Sequence, residues 1–282
     1  MSDTAVQARS VGSEGGHWYN EDGLVVSVPK ADGKGETKPT LRHARKLGLL
    51  PSVTSIIGIM PKPGLDKWKC QRWALASQFV EREAGETDNE WLIRVGEQVE
   101  RMNDYAAIGT DVHAELAKCA EVLWHRHKLD EYKPPEELKG VCEWLLMLFH
   151  DFAVEGVRQV KIEQAFCARE LGYGGTVDLF VETDNAYYYI DYKTADDEKV
   201  KKQDKYLAKP EHLMQLEAYC AGTMDWRKED KTVRLINLYI GRLSGEWYEH
   251  EWTDIDAGVR AIKQFMAARD LWQVINNYIT TK

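Results

Sequence analysis

The sequence of 282 residues lacks the cysteine spacing, the long hydrophobic run and the excess of positive charge that mark several protein classes. It contains five cysteines, and no two of them lie within 20 residues of each other. Structural zinc sites and iron–sulfur clusters normally show at least one CxxC pair. We therefore expect no iron–sulfur cluster, and we expect reduced thiols at Cys70, Cys119, Cys142, Cys167 and Cys220.

A membrane-spanning segment is also missing from the sequence. The most apolar stretch covers residues 144–149, whereas a spanning helix needs roughly 18 apolar residues. The N-terminal segment MSDTAVQARSVGSEGG is polar and has no apolar core of the kind found in a signal peptide. We expect residues 1–16 to form a flexible tail, and we expect a cytoplasmic protein that has no membrane partner.

Positive charge is in the minority, because 46 acidic residues against 37 basic residues give a net charge of −9. Such a chain lacks the uniformly basic surface of a sequence-independent nucleic-acid binder. The segment 28–72 is different, since it holds ten basic and three acidic residues, a local charge of +7. This segment is either a solubilising surface or a local binding surface for anions.

Hydrophobic periodicity predicts a mixed α/β protein. Helical patterns fill the N-terminal half, and β-rich runs separated by turn residues begin near residue 159. After the tail we expect a single domain over 17–282, in which a helical part (17–155) packs on a sheet with flanking helices (156–282). The predicted helices cover about 64–84, 88–106, 110–128, 135–155, 209–223 and 254–278, and the predicted strands cover 160–168, 176–182, 186–193, 233–242 and 246–252.

Two of the predicted strands, TVDLFVE and AYYYIDYK, form a hairpin that brings two aspartates together. A two-residue loop at 184–185 sets a register that places Asp178 opposite Asp191. Because directly opposed carboxylates destabilise a sheet, something must compensate them. Bound Mg²⁺ or Mn²⁺ is one answer. A solvated sheet face, with Lys193 as a cross-strand salt-bridge partner on the same face as Asp191, is the other.

The helix predicted at 209–223 carries a second polar pair. Gln215 and Tyr219 are one turn apart, so their amide and phenol project from one face of the helix. Gly174 and Gly175, just before the first aspartate, leave room for another group to approach the strand closely. We therefore expect this helix face to lie beside the aspartate hairpin.

Taken together, these segments resemble the PD-(D/E)XK nuclease superfamily, and specifically its RecB-type and phage-type exonuclease branch. Five elements carry the resemblance in the family's order, namely HWYNEDG with PSVTSII, IGTDVH at 108–113, GGTVD, IDYKT and QLEAY, and they span about residues 17–241. The resemblance implies a restriction-endonuclease-like core, in which helices flank a mixed central sheet. Because the four-cysteine pattern of the cluster-containing members is missing, the chain is similar to the cluster-free phage and mitochondrial genome-maintenance exonucleases.

The resemblance also implies the chemistry of the site. One or two Mg²⁺ or Mn²⁺ ions would bind to His113, Asp178, Asp191 and the backbone carbonyl of Tyr192. Lys193 would be the catalytic lysine, and Gln215 with Tyr219 would orient the lysine and the phosphate backbone. Glu163 is a further candidate ligand, with a structural or solvated glutamate as the alternative.

The implied substrate is DNA, either a single strand or a duplex end, and a recombination or replication protein is an expected partner. The sequence leaves the oligomeric state open. An endonuclease or flap nuclease with the same site is one alternative to an exonuclease, and a catalytically silent nucleic-acid-binding module is another. The candidate DNA-binding residues come from two basic clusters and one interleaved tryptophan: Lys30, Lys34, Lys38, Arg42, Arg45, Lys46, Trp68, Lys199, Lys201, Lys202 and Lys205.

Overall fold

The computed structural model of the protein describes residues 16–30, 32–101, 105–126, 132–224 and 231–279. The chain divides into two compact units, a larger one of residues 1–59 with 110–282 and a smaller one of residues 60–109. Apart from Gly16, the predicted flexible tail lies outside the described residues. The single domain predicted over 17–282 stays a prediction.

The larger unit begins with short elements around a tight turn. Asn20 makes this turn, because its side-chain oxygen accepts a hydrogen bond from the backbone N–H of Leu24 at 2.8 Å. Ser52 then caps a short helix by accepting from the N–H of Ser55. These first elements are β1 (Trp18–Tyr19), β2 (Val28–Pro29), β3 (Glu36–Thr37), α1 (Leu41–Leu47), β4 (Leu50–Pro51) and α2 (Val53–Ile57).

The smaller unit has a hydrophobic core of its own. It contains α3 (Pro63–Ala76) and α4 (Asp88–Arg101). Ala76, Val95 and Val99 are buried against one another. The helix predicted over 64–84 ends earlier than expected, at Ala76, because the chain beyond it folds back on α4 and the carbonyl of Val80 accepts a hydrogen bond from the indole of Trp91.

A five-stranded mixed sheet forms the centre of the larger unit. Its strands are β5 (Gln159–Ala168), β6 (Tyr173–Glu182), β7 (Ala186–Ala195), β8 (Thr232–Gly241) and β9 (Trp247–Glu251). Strands β5, β6 and β7 form the predicted antiparallel meander. Strand β8 then runs parallel to β7, and β9 returns antiparallel to β8.

Helices cover both faces of this sheet, which confirms the predicted fold class. On one face the hydroxyl of Tyr189 lies 2.7 Å from that of Thr223 in α8 (Pro210–Thr223). On the other face the ring of Tyr188 lies 4.7 Å from that of Phe152 in α6 (Lys139–Val154). No helix within the described ranges is long and apolar enough to cross a membrane. The remaining helices of the chain are α5 (Tyr105–Arg126), α6 (Lys139–Val154), α7 (Asp197–Lys201), α8 (Pro210–Thr223) and α9 (Ile255–Ile275).

Candidate active site

The two aspartates lie where strands β6 and β7 separate. The register is the predicted one, and the ladder runs from Glu182 opposite Tyr187 to Leu179 opposite Ile190. It ends just before Asp178 and Asp191. The Asp178 carboxylate takes the place of the next ladder bond, because its Oδ2 accepts a hydrogen bond from the Tyr192 N–H at 2.7 Å.

Glu163 joins this cluster from the neighbouring strand. The flanking register pairs of β5 and β6 place Glu163 across from Asp178. Its backbone has a φ of 48°, in the left-handed region that is uncommon for a residue with a side chain. Such local strain persists where the surrounding structure holds it, and it often marks functional sites.

His113 reaches the same cluster from helix α5. Its Nδ1 lies 3.6 Å from Asp178 Oδ2, and its ring meets that of Tyr192 edge to face at 5.7 Å between centroids. Both His113 and Asp178 are buried. The histidine of the motif IGTDVH therefore lies beside the aspartates. The side chains of Ile108 and Thr110 in the same motif lie outside the described residues.

Asp191 is completely buried and is surrounded by donors. Lys193 Nζ lies 2.5 Å from its Oδ2, and Gln215 Nε2 donates to its Oδ1 at 2.8 Å. The same Gln215 nitrogen donates to the hydroxyl oxygen of Tyr219 at 2.6 Å. The structure thus places Lys193 and Gln215 against one carboxylate and joins Tyr219 to it through Gln215, while the catalytic roles of these three residues stay predictions.

Gly175 explains how Tyr219 comes so close to the sheet. A Cβ atom on Gly175 would lie 2.9 Å from Cε1 of Tyr219 and 2.6 Å from Cε1 of Phe166. Both separations are too short for carbon atoms, so only glycine lets these rings lie against the strand. The GGTVD sequence is therefore needed for packing as well as for its aspartate.

Sequence reasoning missed one further partner of Asp191, which is Asn237. This residue is fully buried on β8, and its Nδ2 donates to Asp191 Oδ2 at 2.8 Å. Its own Oδ1 accepts a hydrogen bond from the Trp252 indole N–H at 2.8 Å, which fixes the orientation of the amide. The signal available in the sequence was a single asparagine inside the apolar run VRLINLYIG, because a buried amide needs partners.

Burial disfavours the ionised form of these carboxylates and so raises their pKa values. It raises the pKa of Asp178 and that of Asp191 to about 6, although the charge of Lys193 offsets part of the effect. Burial and the negative charges of both aspartates raise the pKa of Glu163 to about 9. The three carboxylates outnumber the single lysine among them, so the site has negative charge to compensate.

The donor set fits a divalent cation. His113, Glu163 and Asp178 each offer one ligand atom, and these atoms lie within 4.8 Å of one another. Carboxylate oxygens with one imidazole nitrogen suit Mg²⁺ or Mn²⁺, and such an ion would balance the excess negative charge. Asp191 lies outside this triad, since both of its oxygens accept hydrogen bonds from side chains. The predicted metal-binding roles of Asp191 and of the Tyr192 carbonyl stay predictions.

The predicted DNA-binding residues lie on several exposed segments. Some of them have partners within the protein. Arg45 Nη2 donates to the carbonyl of Asn276 at 2.5 Å, at the C-terminal end of α9, and Lys202 Nζ lies 3.1 Å from Glu198 Oε2. In the smaller unit the guanidinium of Arg72 lies 5.3 Å from the ring centre of Trp68. DNA contact itself stays a prediction for Lys30, Lys34, Lys38, Arg42, Arg45, Lys46, Trp68, Lys199, Lys201, Lys202 and Lys205.

Comparisons with known proteins point to one family. The crystal structure of SSO0001 is 20% identical over 55% of this chain and 74% of that chain, but its TM-score of 0.23 is too low for a structural argument. The search of curated proteins finds no match. The family model for the PD-(D/E)XK nuclease superfamily matches residues 77–269, which is more than half of the chain and includes every residue of the carboxylate cluster. The chain therefore belongs to the PD-(D/E)XK nuclease superfamily.

Proposed function

We propose that this nuclease is a Mg²⁺- or Mn²⁺-dependent DNA exonuclease that hydrolyses phosphodiester bonds in phage or bacterial DNA recombination, replication or repair. The observation that supports it best is the meeting of Asp178, Asp191 and Lys193 where two strands separate, beside a triad able to hold a cation. A silent binding module has no use for buried carboxylates whose charges destabilise the fold.

The cation would be held by His113, Glu163 and Asp178. When bound there, it would lower the pKa of a coordinated water and stabilise negative charge on the phosphate. Burial of His113 and Asp178 excludes bulk water from this side of the site, which strengthens every charge interaction within it.

The neighbouring side chains have separate tasks. The Lys193 side chain is 22% exposed, so its ammonium group can contact both Asp191 and a water or phosphate oxygen at the surface of the site. It would hold the attacking water, and in its neutral amine form it would accept that water's proton. The Tyr219 oxygen already accepts from Gln215, which leaves the phenol proton free to be donated to a phosphate oxygen.

The proposed function has a direct test. Labelled linear DNA, in single-stranded and duplex forms, is incubated with the protein and Mg²⁺, Mn²⁺ or EDTA, and released nucleotides are measured. We expect mononucleotides or short products with either metal and none in EDTA. Closed circular DNA should stay intact, since an exonuclease needs an end, and cutting of the circle would identify an endonuclease. Absence of cleavage on every substrate with both metals would overturn the proposal.

Asn237 should hold Asp191 in position, so we expect two variants to slow cleavage to different degrees. Asn237→Ala removes a hydrogen bond to a buried charge, so we expect a loss of about 2 kcal/mol in the free energy of unfolding, together with slower cleavage. Trp252→Phe removes the N–H that orients the amide, together with part of the indole ring, but leaves the Asn237–Asp191 hydrogen bond in place, so the slowing of cleavage should be smaller but present. Denaturant unfolding and initial cleavage rates would check this order. Unchanged cleavage in Asn237→Ala would contradict the positioning role.

A further inference from the structure

The segment between β7 and α8 adjoins the active site in sequence and in space. Helix α7 begins four residues after Lys193, and α8 begins at Pro210, five residues before Gln215. Both ends of the segment are therefore joined to elements that carry proposed catalytic residues. Its position along the chain places it at the same edge of the sheet as the site.

Two buried residues attach this segment to the sheet. Val200 and Leu207 pack in one hydrophobic cluster with Ala195 and Tyr239. Tyr239 is the register partner of Lys193 on the neighbouring parallel strand, and paired residues of adjacent strands project from the same face of a sheet. The segment is thus packed against the face from which Lys193 projects.

A further contact holds the start of the segment in place. The Asp197 carboxylate accepts hydrogen bonds from the backbone N–H of Leu243 at 3.1 Å and from that of Ser244 at 2.8 Å. These bonds join α7 to the turn between β8 and β9. These contacts hold the backbone of the segment in place beneath its exposed side chains.

The later part of the segment's outer surface, residues 199–209, is basic and carries an aromatic ring. It has five lysines and one acidic residue, and all five lysines are exposed. The other acidic residues of the segment, Asp196, Asp197 and Glu198, come before this part, and Glu198 pairs with Lys202 at 3.1 Å. Tyr206 is 70% exposed, and Lys205 Nζ lies 5.2 Å from its ring centre. The Tyr206 N–H donates to Asp204 Oδ1 at 2.9 Å, which fixes the backbone beneath the ring.

Exposed aromatic rings among positive charges are the combination that binds single-stranded nucleic acid. Lysines attract the phosphates, and an aromatic ring stacks on a base of any sequence. In a duplex the bases are already stacked within the helix and cannot cover such a ring. We propose that residues 199–209 bind an unpaired DNA strand next to the active site, with Tyr206 stacked on a base; this inference rests on the proposed function.

Binding measurements separate this inference from the nuclease proposal. Fluorescence anisotropy of a labelled oligonucleotide and of a blunt duplex of equal length, in EDTA, compares the wild-type chain with Tyr206→Ala. We expect roughly 10-fold weaker binding of the single strand by the variant, from the loss of one stacked base, and no change for the duplex. Tyr206→Trp should bind the single strand as well as wild type does, because its ring also stacks.

Phe79 provides the matched control, since it is also 70% exposed but lies in an acidic stretch, in which Glu81 and Glu83 flank a single Arg82. Phe79→Ala should bind both DNAs like wild type. The inference is overturned if Tyr206→Ala binds the single strand normally, or loses affinity equally for strand and duplex, while wild type cleaves DNA. Failure of wild type to cleave any DNA would instead overturn the proposed function, whatever Tyr206 does.

Discussion

Replacement of Lys193 by alanine should slow DNA cleavage by roughly 10³-fold, the usual effect of losing a group that moves a proton in the transition state. Lys193 Nζ lies 2.5 Å from Asp191 Oδ2, and the Lys193 side chain is 22% exposed. Alanine has no amine that could replace this contact or take a proton from water. Single-turnover cleavage of linear DNA at saturating Mn²⁺ would measure the loss in the chemical step.

The same substitution should also affect folding, and this effect can be separated from catalysis. Without Lys193 the buried Asp191 carboxylate loses its neighbouring cation, and removal of one partner of a buried pair commonly costs about 3–5 kcal/mol. The double variant Lys193→Ala with Asp191→Asn also removes the negative charge of Asp191 that the single variant leaves buried without its cation. We expect it to regain much of the lost stability while cleavage stays at least as slow as in Lys193→Ala.

Lys263 serves as the control for this experiment, since it is an exposed lysine on α9. Lys263→Ala should unfold and cleave like wild type. If Lys193→Ala folds normally and retains its cleavage rate, the assignment of Lys193 as the catalytic lysine is wrong. If the double variant cleaves DNA as fast as wild type, the roles of both residues are wrong.

The hairpin could be predicted from sequence because local rules determine it. A two-residue loop and the alternation of side chains along a strand are enough to derive the register of β6 and β7, and that register is found. The end of the ladder could not be derived in this way. It depends on the Asp178 carboxylate taking the Tyr192 N–H, which is a side-chain contact without a pattern in the sequence.

The partners of Asp191 show the same limit. Gln215 lies on a helix that a family motif identifies, so its role could be expected. Asn237 lies beside Asp191 only because β8 runs parallel to β7, and a parallel pairing follows from a long crossover connection instead of a turn. Neither the pairing nor the register can be derived from a single sequence, so this residue was missed.

Glu163 is the further ligand that the sequence suggests, and its burial has a measurable consequence. Burial and the charges of Asp178 and Asp191 raise its pKa to about 9, compared with about 4.3 in an unfolded chain. An acid with a raised pKa in the folded state destabilises that state above the pKa of the unfolded chain, and the effect grows until the folded pKa is reached. Metal-free protein should therefore lose stability as the pH rises from about 4.5 to 9.

Glu163→Gln removes this ionisation and keeps the size of the side chain. In EDTA at pH 8 we expect the variant to be more stable than wild type, on the order of 2 kcal/mol, and to unfold about 5 °C higher. At pH 4.5 the difference should vanish, because Glu163 is then uncharged in the folded protein. Thermal unfolding across this pH range would measure the gain.

Added Mn²⁺ should reverse the order of the two proteins. A ligand that binds only the folded state raises the unfolding temperature, and an amide is a weaker ligand for such an ion than a carboxylate. Wild type should therefore gain more from Mn²⁺ than Glu163→Gln does. Glu170→Gln, at an exposed position in the connection between β5 and β6, should follow wild type throughout. If Mn²⁺ raises the unfolding temperature of wild type and of Glu163→Gln equally, Glu163 is not a metal ligand. If metal-free Glu163→Gln is less stable than wild type at pH 8, the Glu163 carboxylate of wild type is not under charge repulsion.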